Sequence, residues 1–275
     1  MTALSRPEAV QQGRRTWRLS AAVVGVVASA WIVAAECLVA FGDLGWGLVL
    51  HAILLLALLN HHLFTEVGSM EGRRPATATM AMALALIPLL RLLSVAMPLR
   101  NVDEIYWYAL VGAPLLFAMA MVARGTGLGE RVGTLLRTAS WRAVAVGAAA
   151  GVPLGLLAYS AAGAPALDAG SAWKTALLAP LLLVVFSAFL EEVLFRGLLR
   201  EALLPVVGRG ANAASAGLFG VVHLGAGPPV YALLAAAYGL AFGVVVEVTR
   251  SLVAVIAAHA TLAIGLTLVW PRLFS

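Results

Sequence analysis

Two adjacent acids, an arginine and two histidines stand out in this 275-residue chain because each lies in or beside a long apolar run. The stretch FSAFLEEVLFRGLLR, residues 186–200, carries Glu191, Glu192 and Arg196, and His223 and His259 follow in later apolar segments. At about 100° per helical residue, Glu192 and Arg196 lie nearly one above the other and suit a salt bridge, whereas Glu191 points onto a neighbouring face. One carboxylate is then held by the arginine while the other is free for proton transfer. A free carboxylate in a low-dielectric site can serve as a general base. Such a base needs an electrophile stabiliser and a second proton-handling group, for which His223 and His259 are the candidates. Each residue alone has a plainer account, as a charge reaching an interface or a histidine bonded to a neighbouring helix. Together, in successive segments of one half of the chain, they read as a shared site.

The solvent around these residues follows from composition. Hydrophobic residues make up 62% of the chain and charged residues 11%, against about 45–50% and about 25% in globular proteins. Apolar runs of about 20 residues, enough to cross roughly 30 Å of hydrocarbon as helix, fall near 20–42, 45–65, 77–98, 105–123, 141–163, 174–195, 229–248 and 251–270. A ninth segment, ANAASAGLFGVVHLGA at 211–226, is short and rich in small residues. The expected fold is an all-α, polytopic transmembrane bundle of about 8 spans, with 211–226 as a short or partly inserted segment.

Basic residues alternate along this list as cytoplasmic loops require. Arg6, Arg14, Arg15 and Arg18 precede the first span, Arg73 and Arg74 follow the second, Arg124, Arg131, Arg137 and Arg142 follow the fourth, and Arg196, Arg200 and Arg209 end or follow the sixth. The intervening loops carry only Arg100, beside Asp103 and Glu104, and Lys174, near Asp168. The expectation is a multi-pass protein of the cell membrane with its N-terminus in the cytoplasm. The net charge of +5 then reflects membrane orientation and calls for no nucleic-acid partner. The first apolar run is too long for a secretory signal core, and the single Cys37 excludes an internal disulfide.

The longest polar stretches divide the chain into a cytoplasmic tail (1–19), an N-terminal four-helix region (20–123), a Gly- and Ser-containing cytoplasmic linker (124–140) and a C-terminal transmembrane core (141–275). Polar residues inside spans cost several kcal/mol unless paired or solvated. In the N-terminal part these are Glu36, His51, Arg91 and the cluster Asn60–His61–His62. The cluster ends a span and reads as interfacial, and Glu36 and Arg91 read as a mutually neutralising structural pair.

Three ordered motifs carry a resemblance. EEVLFR (191–196), FGVVH (219–223) and the stretch ending at His259–Ala260 resemble the Glu-Glu-x-x-x-Arg, Phe-x-x-x-His and His-x-x-x-Asn/Asp motifs of the CPBP family of intramembrane proteases. That family includes CAAX-prenyl endopeptidases and bacteriocin-processing or self-immunity proteins. The resemblance covers roughly 141–270. Its first two motifs are complete, and the third departs, because Ala263 stands where the family has Asn or Asp.

The resemblance implies hydrolysis of a peptide bond in a membrane-embedded or lipidated peptide or protein, with membrane lipid as the surrounding partner. Glu191 and His223 would activate water, Glu192 and Arg196 would support Glu191, Phe219 would belong to the second motif, and His259 would help hold the oxyanion. Loss of one oxyanion donor costs on the order of 10²–10³ in rate, so Ala263 also favours a proteolytically inactive scaffold or immunity protein. The same residues leave the metal open: Glu191, His223 and His259 could hold zinc with an open water position, or act without it, the reading preferred here. An ion- or proton-coupled transporter would also carry intramembrane charges, but no internal repeat of the kind transporters show is visible. No eukaryotic organelle signal is visible, so a bacterial cell membrane is expected. The small-residue stretch 208–229 should line the catalytic cavity.

Overall fold

The computed structural model of the protein describes residues 6–67, 76–99, 101–163, 166–168 and 170–274. Arg73, Arg74 and Arg100 lie outside the described residues, as do the side chains of residues 6–20, with Arg6, Arg14, Arg15 and Arg18 among them. The described residues form helices and connecting turns, with no strand among them. The helices are α1 (Arg6–Phe41), α2 (Leu44–Val67), α3 (Ala76–Ala96), α4 (Glu104–Thr126), α5 (Gly129–Arg137), α6 (Trp141–Ala162), α7 (174–207), α8 (Ala211–Val221), α9 (Pro229–Thr249) and α10 (Val253–Phe274). Eight segments are long and apolar enough to cross a membrane, with α7 and α8 forming a single apolar stretch, Lys174–Val221. The protein is an all-α polytopic bundle.

A helix that is apolar on every side belongs inside a bundle, and α3 is that helix in the N-terminal part. Ala78, Met80, Ala81, Ala83, Leu84, Leu86 and Ile87 are all buried. The helix packs on α1, α2 and α4 and also on the second half of α7. One buried cluster therefore runs from Ile32 and Leu84 through Leu194 and Phe195 to Val246 and Val255.

The sixth apolar run extends well past residue 195. Residues 174–207 form one unbroken helix, about 50 Å long at 1.5 Å per residue. Its lower charges are absorbed by protein rather than lipid: Arg200 Nη1 donates to Glu201 Oε1 (2.8 Å), and Arg200 Nη2 lies 3.8 Å from Glu247 Oε2 on α9. Three stretches of α7, Lys174–Leu178, Val184–Phe189 and Val193–Leu199, are wide turns of π type, a form concentrated at functional sites. Gly208, at φ 56°, lets the chain reverse after α7, since a left-handed backbone suits a residue without Cβ. Helix α8 then runs back along α7, and Ser215 Oγ donates to the Phe195 carbonyl (2.7 Å). With a length of about 16 Å, α8 is too short to cross the roughly 30 Å of hydrocarbon, as expected for a partly inserted segment.

Glycines at four-residue spacing join α6 to α10. A Cβ at Gly147 would meet the Ala254 backbone, one at Gly151 would meet Ala258 and Thr261, and one at Gly155 would meet Leu262. The constant offset means that the two helices run parallel with their backbones nearly touching, which is how small residues pack in membranes. Thr261 Oγ1 seals the seam by donating to the Ala148 carbonyl (2.8 Å). Within 124–140, residues 129–137 form the amphipathic α5, whose Val132 and Leu135 are buried against the bundle, and the Leu252 N–H donates to the Leu135 carbonyl (2.9 Å).

Candidate active site

Three elements bring the sequence-singled residues together. Glu191 and Glu192 sit midway along α7, between two of its wide turns. His223 sits in the turn that closes α8, and His259 lies on α10, positioned by the glycine seam.

Glu192 is fully buried, and its Oε1 accepts two hydrogen bonds. One comes from Arg196 Nη1 at 3.1 Å, four residues on as the helical spacing suggested, and the other from His259 Nδ1 at 2.8 Å. The Arg196 guanidinium lies over the Phe219 ring at 4.1 Å, a cation–π contact in a dry setting. Phe219 also lies against both histidines, tilted to His223 with centroids 4.5 Å apart and edge-on to His259 at 6.1 Å. It is the apolar floor on which the arginine and the two imidazoles rest.

Glu191 faces the other way, as its neighbouring helical face requires. Its Oε2 lies 3.8 Å from His223 Nε2 and 3.8 Å from His259 Nε2, and Ser187 Oγ is 3.4 Å from its Oε1. Each histidine has its Nδ1 engaged by an acceptor, the Phe219 carbonyl (2.7 Å) for His223 and the Glu192 carboxylate for His259. An acceptor on Nδ1 fixes a proton there, so either ring, when neutral, presents an Nε2 lone pair to Glu191. Three acceptors facing one point must share at least one proton or the hydrogens of a water. Such a trio can take a proton from water, hold it and return it.

The donor types also suit zinc, and the outer contacts of both histidines are of the kind that orient metal ligands. Among the described residues no preformed group of three His, Cys, Asp or Glu side chains that could hold a metal ion is found.

A cavity of about 250 Å³ opens beside Glu191, lined by Leu90, Trp107, Tyr108, Val111, Phe186 and Leu190 among others. Its walls come from α3 and α4 as well as α7. A smaller cavity lies under His223 and His259, with Phe219 and Tyr231 at its edge. The stretch 208–229 thus lines the small cavity, while the larger one is walled by α7 together with α3 and α4, whose composition alone gave no such signal. Ala263 is buried on α10, and its carbonyl accepts from Thr267 Oγ1 (2.8 Å).

The N-terminal charges meet as well. Arg91 Nε donates to Glu36 Oε1 (3.0 Å), and its Nη2 lies 2.7 Å from Glu36 Oε2. The same Nη2 also reaches the Val222 carbonyl at 2.6 Å, a contact that reading the sequence missed. Donor count held the signal: a guanidinium has five N–H groups, and one carboxylate accepts two in fork geometry.

Residues 173–264 match the family model described as Type II CAAX prenyl endopeptidase Rce1-like. The matched segment contains Glu191, Glu192, Arg196, Phe219, His223, His259 and Ala263, and it excludes α1–α4. No curated protein and no solved structure matches the chain.

Proposed function

Taking as premise that residues 173–264 carry the core of a CPBP-type, CAAX-type membrane protease, we propose that this protein hydrolyses a peptide bond of a membrane-embedded or lipidated substrate with water activated by Glu191. The observation that carries the reading is the convergence of His223 Nε2 and His259 Nε2 on Glu191 Oε2, each at 3.8 Å. Glu191, assisted by His223, removes a proton from water as the oxygen adds to the substrate carbonyl carbon. His259, doubly protonated and braced by Glu192, donates from Nε2 to the resulting oxyanion. Collapse of the tetrahedral adduct breaks the C–N bond, and the proton held by Glu191 passes to the departing nitrogen, leaving a carboxylic acid and an amine.

Glu192 and Arg196 orient this apparatus without touching substrate. The apolar cavity beside Glu191 suits a hydrophobic side chain or part of a lipid chain. Cleavage proceeds in this reading without metal. Stoichiometric zinc in the purified protein, together with loss of cleavage on chelation, would overturn that part and assign Glu191, His223 and His259 as ligands. The protein sits in a bacterial cell membrane with its N-terminus in the cytoplasm, which puts Arg124, Arg131, Arg200, Arg209 and Arg250 on the cytoplasmic side.

The test compares membrane peptides of wild-type and Glu191→Gln cells. A precursor should accumulate uncut in the variant, and identical peptide profiles would refute the assignment. A second reading, an inactive scaffold or immunity protein, rests on Ala263 standing four residues after His259. It predicts that Glu191→Gln leaves the cellular effect unchanged.

A further inference from the structure

The four N-terminal helices lie outside the matched family segment, yet one of their side chains reaches the turn that carries His223. Backbone bonds of that turn use the carbonyls of Leu218, Gly220, Val221 and His223. The Val222 carbonyl, immediately before His223, instead accepts from Arg91 Nη2 at 2.6 Å. A helix leaves its last carbonyls without partners of its own, and a charged donor makes the stronger kind of bond to them.

The guanidinium is itself aimed. Glu36, fully buried, accepts a hydrogen bond from Nε at 3.0 Å and has Nη2 2.7 Å from its Oε2, and the buried His51 places Nε2 3.6 Å from Glu36 Oε1. The His223 ring is tied on its other side by Nδ1 to the Phe219 carbonyl. The peptide before His223 and the ring of His223 are therefore fixed independently, one by the N-terminal helices and one by α8.

We propose that Arg91, aimed by Glu36, is a positioning residue that sets the orientation of His223 toward Glu191, so that the N-terminal helices complete the active site. This rests on the protease reading above. A displacement of 1 Å in a catalytic group can cost on the order of 10²-fold in rate, which is the scale of effect expected.

The test is the full-length double variant Glu36→Gln/Arg91→Met in detergent micelles, which removes both buried charges together and keeps the fold free of an unpaired one. Protein labelled with ¹⁵N-histidine is compared with wild type, the His223 ring signals being assigned through a His223→Gln variant. The His223 signals should shift and broaden while those of His259, which Glu192 holds, stay in place. On the precursor that accumulates in Glu191→Gln cells, kcat should fall on the order of 10²-fold with KM within about twofold. Unchanged His223 signals together with wild-type kcat would overturn the inference and leave the protease reading intact. Full cleavage by Glu191→Gln would instead remove the protease reading.

Discussion

Glu192→Gln separates what the buried acid does for the fold from what it does for His259. Glu192 and Arg196 are 0% and 1% exposed, so neutralising the acid leaves a guanidinium in a dry interior. Removing one partner of a buried pair costs about 3–5 kcal/mol. The Phe219 face at 4.1 Å returns only about 0.5–2 kcal/mol, and Arg196 Nη2 has no hydrogen-bond partner among the described residues. The expected loss for the single variant is therefore about 3 kcal/mol, read from unfolding in detergent micelles. Replacing both members by uncharged residues is often close to neutral, so Glu192→Gln/Arg196→Met should recover most of that loss, with a coupling energy of about 2 kcal/mol or more. Activity should not recover, because His259 still lacks the carboxylate that braces Nδ1. Strictly additive stability losses would refute the pairing argument, and wild-type turnover in the double variant would refute the role assigned to Glu192.

Three further outcomes follow from the geometry. Glu191→Gln should lower turnover by on the order of 10²–10⁴ while leaving the unfolding midpoint near wild type, since its nearest hydrogen-bond partner, Ser187, is 3.4 Å away; a large stability loss would mark it as structural. Ala263→Asn introduces the residue that the resembled CPBP motif carries four positions after its histidine and should raise turnover, by up to on the order of 10²–10³ if an oxyanion donor is gained, measured side by side on one substrate. Gly151→Leu drives a side chain into Thr261 and the Ala258 backbone and should destabilise the protein by about 1–3 kcal/mol or more, with cleavage lost because α10 carries His259.

How much of this was legible in the sequence depended on whether a contact lies within one helix or between helices. The Glu192–Arg196 bridge follows from four-residue spacing alone, and the orientation of Glu191 from the next helical face. Glu36 and Arg91 could be paired because two opposite charges in hydrocarbon have little alternative. The bond from His259 to Glu192 could not be read, because it depends on the relative height of α7 and α10, which the glycine seam with α6 sets. The length of α7 was missed for a related reason: Arg196, Arg200 and Glu201 resemble the end of a span when the solvent is taken as lipid, but they are buried against α3, α8 and α9. Residues 129–137 read as linker because glycines precede and interrupt a helical apolar pattern at Val132, Leu135 and Leu136 that is only about two turns long.

The wide turns of α7 have a further consequence. A π turn holds about one residue more than an α turn, so the helix carries spare residues on both sides of its two acids. Deleting one residue within 184–189 would let that turn relax to α geometry, so the segment before it would keep nearly its phase relative to Glu191, whereas the same deletion in a regular α turn would rotate it by about 100° and shift it by about 1.5 Å. The first half of α7 would stay packed on α4 while the acids kept their partners. The turn that carries Phe186 and Ser187 is thus a place where the chain can lose a residue without changing the phase between the substrate wall and Glu191, Glu192 and the histidines.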